Sequence, residues 1–165
     1  MSASALPKAL AFDVFGTVVD WRTSVTRESA AFLAAIGKGD VDAAAFADAW
    51  RGQYIAAMIG MRKSGRAFAV LDVLHREMLE AALRELDIDP AALDEGLLAD
   101  WNRVWHRLDP WPDTVEGLTR LKARLPIVTL SNGNVALLLA MARQAGLPWD
   151  AILGAEISGA FPLVK

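Results

Sequence analysis

Residues 10–17, LAFDVFGT, place a carboxylate at the end of an otherwise apolar run and follow it with a glycine and a hydroxyl. Strands buried inside a parallel sheet are continuously apolar. The free-energy cost of desolvating a lone Asp at the end of such a strand must therefore be offset by another interaction or by a function. We therefore interpret Asp13 as a functional residue at the tip of a strand. A simpler interpretation stays open, because Asp and Gly are common turn residues and Asp13 could serve only the turn.

A second strand-like run that ends in polar residues, 126–130 before Ser-Asn-Gly at 131–133, comes well over a hundred residues later. A parallel crossover needs only about a dozen residues, so the intervening segment must hold an extra unit as well as a crossover helix. Apolar residues in it recur at three- and four-residue steps, which is typical of amphipathic helices. We predict an inserted helical cap, residues 20–111, between two parts of one core, residues 1–19 and 112–165.

The pattern predicts helical cap regions over residues 24–36, from Asp40 to near Gly65, over 72–86, and from residues 89–90 onward. After a proline-stiffened linker at 109–113, it predicts a helix over 114–124, a strand over 127–130, a helix over 134–145 and a third strand over 151–155. The fold class is therefore α/β: a Rossmann-like, three-layer parallel sheet core with an inserted helical cap. Sites in such sheets form beyond the carboxyl ends of the strands, where Asp13 and Ser131 would converge.

Composition restricts the partners and the compartment. The chain has no cysteine, which excludes disulfides, thiolate catalysis and cysteine-based zinc sites and fits a reducing compartment. Its apolar runs are far shorter than the roughly 20 residues that a bilayer requires, and its start lacks the basic region of a secretory signal. Net charge is −3 without long blocks of either sign. We expect a cytoplasmic protein with a small-molecule partner and neither a nucleic-acid nor a membrane partner.

Three motifs carry a family resemblance: DVFGT at 13–17, WRGQY at 50–54 and SNG at 131–133. Together they resemble the haloacid dehalogenase superfamily and, within it, the 2-haloacid dehalogenases. The superfamily's phosphatases have a second Asp two residues after the nucleophile to protonate the leaving alkoxide, and here that residue is Phe15. A halide needs no proton when it leaves, so Phe15 fits carbon–halogen cleavage better than phosphate ester cleavage.

The resemblance implies hydrolysis of small 2-haloalkanoic acids to 2-hydroxy acids through an aspartyl ester. Asp13 would be the nucleophile that displaces the halide, and water would then attack the Asp13 carbonyl. The hydroxyls of Thr17 and Ser131 would take part in catalysis by holding the substrate carboxylate or the oxyanion. This implied mechanism needs neither a metal nor an organic cofactor.

The resemblance also implies residues that bind the substrate or the halide. Arg51 and Asn132 would hold the departing halide, because a guanidinium is permanently charged and weakly hydrated. Val14 and Phe15 would surround the reacting carboxylate and strip it of solvent. Without the resemblance, a surface ion pair between Arg51 and Asp48, one helical turn earlier, would be the favoured explanation of Arg51.

Large aromatic residues recur at helical spacing in the cap, and we predict that they form its interior rather than the substrate wall: Trp50, Tyr54, Trp101 and Trp105. His75 and His106 occur beside arginines in helical stretches. We predict that both histidines are surface or boundary side chains.

The resemblance ends at the carboxyl end of the chain. The family has an aromatic-Lys-Pro step and later a loop with Asn or Asp after a fourth strand, whereas residues 161–165 read FPLVK, with Lys165 as a shifted substitute at best. We expect the fourth and fifth strands to be missing, so that one edge of the Asp13 strand lacks a partner. The alternatives are a catalytically incompetent fragment that associates through this edge, for example as a homodimer, and a magnesium-dependent phosphatase.

Overall fold

The structure is a computed structural model that describes residues 7–159, apart from the side chain of Arg62. In chain order its strands and helices are β1 (Leu10–Phe12), β2 (Val19–Asp20), α1 (Trp21–Ala35), α2 (Ala43–Lys63), α3 (Leu71–Glu85), α4 (Glu95–Asn102), β3 (Asp109–Pro110), α5 (Thr114–Lys122), β4 (Ile127–Thr129) and α6 (Val135–Ala145). The predicted α/β order, with a helical segment between the first two core strands, is confirmed. No helix within residues 7–159 is long and apolar enough to cross a membrane.

The core sheet is built on β1 and β4, which pair in parallel with Leu10 opposite Ile127. The predicted third strand, residues 151–155, lies beside β4 and runs parallel to it, but it is joined only by isolated bridges. The ladder is interrupted because the Thr129 hydroxyl accepts the Leu153 amide proton at 2.8 Å and donates to the Leu153 carbonyl at 3.1 Å. Within the described residues, the other edge of β1 has no strand partner.

The cap helices follow the predicted pattern, with shifted starts. Helix α1 begins at Trp21 rather than at residue 24, because the Asp20 carboxylate accepts the Thr23 amide proton and caps the helix there. Helix α2 is capped by Asp42 and not by Asp40, since the Asp42 carboxylate accepts from the first helical amides. Sequence spacing alone does not show which of two Asp residues, two positions apart, caps the helix.

The two chain crossings between the cap and the core lie side by side. Strands β2 and β3 pair antiparallel, with Val19 opposite Pro110, so part of the predicted linker is a short ribbon. The Ser24 hydroxyl accepts the amide proton of Asp109 at 2.9 Å and fastens this ribbon to α1. The domain division at residues 19/20 and 111/112 stays a prediction, and the ribbon lies next to both boundaries.

Stacked aromatic rings hold the cap helices together. Trp101 from α4 lies between Phe32 of α1, at 3.5 Å between ring centroids, and Phe46 of α2, at 4.9 Å. Trp50 is fully buried and meets Trp101 edge to face. The prediction that Trp50 and Trp101 form the cap interior is therefore confirmed.

Truncation of Trp101 to Ala should lower the free energy of unfolding by about 3–5 kcal/mol, because it leaves a cavity between three helices. Urea denaturation followed by far-UV circular dichroism measures this loss. As the control, Ile59→Ala on the exposed side of α2 should cost less than about 1 kcal/mol. Equal losses for the two variants would contradict the importance of the aromatic stack.

Candidate active site

Asp13 follows β1 directly, at the carboxyl end of the strand. The next residues form a tight turn in which Gly16 has φ +84° and the Val18 amide donates to the Val14 carbonyl at 2.9 Å. This turn brings the Thr17 hydroxyl back to Asp13, where it donates to Oδ2 at 3.0 Å. A left-handed backbone at position 16 favours glycine, so the turn needs the Gly of the DVFGT motif. The turn thus fixes the orientation of the carboxylate.

A cavity of about 160 Å³ opens beside Asp13 at the junction of the core and the cap. Five of the predicted site residues line it: Asp13, Phe15, Arg51, Ser131 and Asn132. Its remaining lining comes from residues that we did not predict for the site: Tyr54, Ile55, Leu71, His75, Trp105 and Leu130. The strand ends of the core and the helices of the cap therefore line one cavity, as the inserted-cap topology predicts.

Two predicted residues lie elsewhere. The Val14 side chain is buried in the hydrophobic core and is absent from the cavity lining. Residue 13 faces the cavity, and the next side chain along an extended segment points the other way. Thr17 is also absent from the lining and acts on Asp13 through its hydrogen bond. Residues 161–165, including Lys165, lie outside the described residues.

Ser131 follows β4, the strand beside β1, so its side chain reaches the same end of the sheet as Asp13. Its Oγ accepts the Gly133 amide proton at 3.2 Å. Within residues 7–159 the hydroxyl proton of Ser131 has no protein acceptor. It can therefore donate to a group in the cavity.

Arg51 does not form the ion pair with Asp48 that we considered. Asp48 instead binds Arg22 on the surface, at 2.7 and 2.8 Å. The Arg51 guanidinium lies over the Tyr54 ring, 4.0 Å from the ring centroid, and no carboxylate within residues 7–159 pairs with it. Burial lowers the pKa of Arg51, although the nearby Asp13 charge opposes this effect. The cavity lining thus contains a half-buried cation together with the Asp13 carboxylate.

Tyr54 and Trp105 were predicted to lie in the cap interior, and both contribute to the cavity wall. Tyr54 Oη accepts a hydrogen bond from Asn132 Nδ2 at 2.7 Å, which joins α2 to the loop after β4. Tyr54 comes three residues after Arg51 and so lies on the same helix face. This spacing was the available signal, but helical periodicity does not separate a core face from the wall of a cavity.

The prediction for His75 was wrong: only 2% of this residue is exposed, and it lines the cavity. Its ring stacks on Trp105 at 4.3 Å between centroids, and its Nδ1 is buried without a hydrogen-bond partner. Leu71 and Leu79 lie four residues before and after it, so the apolar stripe of α3 passes through position 75. That stripe could have predicted its burial.

Asp72, at the start of α3, joins the cap to the core. Its backbone amide and carboxylate form two hydrogen bonds with the Asn134 side chain at the start of α6, and its other carboxylate oxygen contacts His106 at 2.9 Å. Burial acts to raise the pKa of Asp72, but the His106 and Asn134 hydrogen bonds outweigh it and the pKa lies below 3.8. His106 is partly buried at this boundary, as predicted.

The fold and the cavity define an α/β protein with a carboxylate at a strand tip beneath a helical cap. The chain belongs to the haloacid dehalogenase-like hydrolases, whose family model matches residues 7–163. The family resemblance of the three motifs is thereby confirmed. A curated (S)-2-haloacid dehalogenase from Xanthobacter autotrophicus is 30% identical over 156 residues, which are 93% of this chain and 57% of that protein.

Solved structures of L-2-haloacid dehalogenases are also similar to this chain. A defluorinating L-2-haloacid dehalogenase superimposes with a TM-score of 0.91 at 48% identity over 95% of this chain and 64% of its own. The Xanthobacter autotrophicus L-2-haloacid dehalogenase with chloropropionic acid covalently bound gives 0.77 at 30% identity, over 95% of this chain and 60% of its own. The chain thus spans about three fifths of the length of these relatives.

Replacement of His75 by Phe should make the protein less sensitive to acid. Burial lowers the pKa of His75 from 6.5 to about 3, so between these values the unfolded chain binds one more proton than the folded chain. Stability is therefore lost as the pH falls below 6.5, by at most about 1.4 kcal/mol per pH unit from this residue.

The free energy of unfolding, measured in urea at pH 7, 6, 5 and 4, tests this expectation. His75→Phe should give a flatter pH dependence than the wild type, whereas Val73→Ala on the exposed face of α3 should keep the wild-type slope. An unchanged slope in His75→Phe would show that the histidine does not fold in its neutral form.

Proposed function

We propose that the protein hydrolyses small 2-haloalkanoic acids to 2-hydroxy acids through an ester of Asp13, with no metal or organic cofactor in the reaction. The observation that carries this proposal is the cavity lined by both Asp13 and the half-buried Arg51 cation, with an aromatic residue at position 15. A second carboxylate at position 15 would serve a leaving alkoxide, whereas Phe15 has no proton to give. The similarity to 2-haloacid dehalogenases supports the same reaction.

In the first step, an Asp13 carboxylate oxygen attacks the α-carbon of the substrate. The carbon–oxygen bond forms as the carbon–halogen bond breaks, and the electron pair leaves with the halide, which inverts the carbon centre. Thr17 donates to Oδ2, and no side chain of residues 7–159 donates to Oδ1. Oδ1 is therefore the better nucleophile, and the Thr17 hydrogen bond positions it.

The walls around Asp13 favour this attack. The Phe15 ring meets Trp105 edge to face at 6.2 Å, and Leu130 and Leu71 add further apolar surface. These side chains reduce the contact of the carboxylate with water, and a carboxylate is a weak nucleophile when it is fully hydrated. Arg51 supplies the opposite charge for the halide as it departs.

In the second step, water attacks the Asp13 carbonyl carbon of the ester. The tetrahedral intermediate carries a negative oxygen, and the Ser131 and Thr17 hydroxyls are the donors placed to stabilise it. Collapse of the intermediate breaks the bond between the Asp13 carbonyl carbon and the ester oxygen. One proton of the water goes to that oxygen to give the 2-hydroxy acid, the other goes to solvent, and the Asp13 carboxylate is restored. The water oxygen stays on Asp13, and the product hydroxyl oxygen comes from the enzyme.

The size of the cavity limits the substrate. A cavity of about 160 Å³ suits a small substrate and lies well below the volume of sites that hold drug-sized ligands. We therefore propose haloacids of two or three carbons as substrates. A cytoplasmic location, a homodimer and the lack of a nucleic-acid partner stay predictions.

The Asp13→Asn variant should lose halide release by roughly a thousandfold or more, because an amide oxygen does not replace the nucleophilic carboxylate. Halide release from a panel of two- and three-carbon 2-haloacids, measured with ion-selective electrodes in the presence of a chelator, gives the rates. The matched control is Asp48→Asn, which removes a carboxylate from a surface ion pair and should retain activity. Full activity of Asp13→Asn would contradict the proposal.

A further inference from the structure

Tyr54 has a hydroxyl proton for which the described part of the chain provides no acceptor. Its Oη accepts a hydrogen bond from Asn132 Nδ2 at 2.7 Å, and within residues 7–159 its own O–H group donates to no protein atom. Tyr54 is half-buried, and tyrosine hydroxyls removed from bulk water normally have hydrogen-bond partners. Because Tyr54 lines the cavity, the missing acceptor is expected to be a ligand.

The surroundings of Tyr54 select an anion as that ligand. The Arg51 guanidinium lies 4.0 Å from the centre of the Tyr54 ring, and the Asn132 side chain is hydrogen-bonded to the Tyr54 hydroxyl. A cation, a hydroxyl and an amide therefore lie together. Burial raises the pKa of Tyr54, and the charge of Asp13 adds to this effect. The hydroxyl therefore stays protonated and acts as a donor beside the positive charge.

This inference rests on the proposed function. We propose that Tyr54 is a catalytic residue whose hydroxyl donates a hydrogen bond to the departing halide, and that this bond favours fluoride over bromide as the leaving group.

The preference follows from the charge density of the halides. When the carbon–fluorine bond breaks, the electron pair leaves with a small ion that accepts strong hydrogen bonds, and a desolvated fluoride without a donor would be very costly. Bromide spreads the same charge over a larger volume and gains less from a single O–H donor. Asp13 forms the new bond to carbon in both cases, and Tyr54 keeps its proton throughout.

The Tyr54→Phe variant tests the hydroxyl alone, since it keeps an aromatic ring beside Arg51. We expect kcat/KM for 2-fluoropropionate to fall by about tenfold to a hundredfold, the usual effect of one hydrogen bond to a charged group. The value for 2-bromopropionate should stay within about threefold of the wild type, because Arg51 still receives the halide. Ile59→Ala, on the same helix but outside the cavity lining, should change neither value.

Equilibrium binding of the free halides separates this inference from the proposed function. Fluoride and bromide are titrated into the protein without substrate, with ¹⁹F NMR for fluoride and tryptophan fluorescence for bromide. In Tyr54→Phe, the dissociation constant of fluoride should rise about tenfold to a hundredfold, while that of bromide stays nearly constant. This pattern would support the role of Tyr54 even if no haloacid is hydrolysed.

Three results would overturn the inference. Equal losses for both halides would indicate a general structural role, and no loss for either halide would indicate that the Tyr54 hydroxyl donates to the Asn132 amide oxygen rather than to the halide. A wild-type protein that neither binds fluoride nor releases it would also exclude the hydrogen bond. By contrast, absence of any halide release with the predicted binding pattern would reject only the proposed function.

Discussion

The negative charge of Asp13 lies between the core and the cap, where one carboxylate oxygen is held by Thr17 and the half-buried Arg51 cation lines the same cavity. A carboxylate that is half-buried beneath the cap is tolerated only if neighbouring groups replace the water that it loses. The turn after β1 provides the nearest donor, and α2 provides the opposite charge. The cap is therefore part of the site, because without it Asp13 would face solvent as an ordinary, weakly nucleophilic carboxylate.

The loop after β4 couples the position of the cap to the chemistry of the site. Asn132 bonds to Tyr54 of α2 and Asn134 bonds to Asp72 of α3, while Ser131, directly before Asn132 in the chain, lines the cavity. Gly133 has little room for a side chain, since a Cβ there would lie 3.0 Å from the Leu138 side chain. A small shift of either cap helix would thus move the groups that surround the reacting atoms, and the geometry of both half-reactions depends on this loop.

The sequence predicted the elements whose signals are local. The apolar run before Asp13, the long insertion and the position of Arg51 follow from patterning and motif spacing, and the structure brings these residues together. The sequence did not predict that Tyr54 and His75 line the cavity. Helical periodicity marks an inward face without showing whether protein or ligand fills the space beyond it. The interrupted third strand was also beyond prediction, since it depends on a side-chain hydrogen bond of Thr129 to a distant backbone.

The covalent ester on Asp13 is the central claim, and oxygen labelling tests it most directly. A single turnover of a 2-haloacid by excess protein in H₂¹⁸O should place the label in the Asp13 carboxylate, detected by mass spectrometry of the peptide that contains it, and leave the product hydroxyl unlabelled. Label in the product with none in Asp13 would show that water attacks the substrate directly, which would contradict the account of Asp13 as the nucleophile.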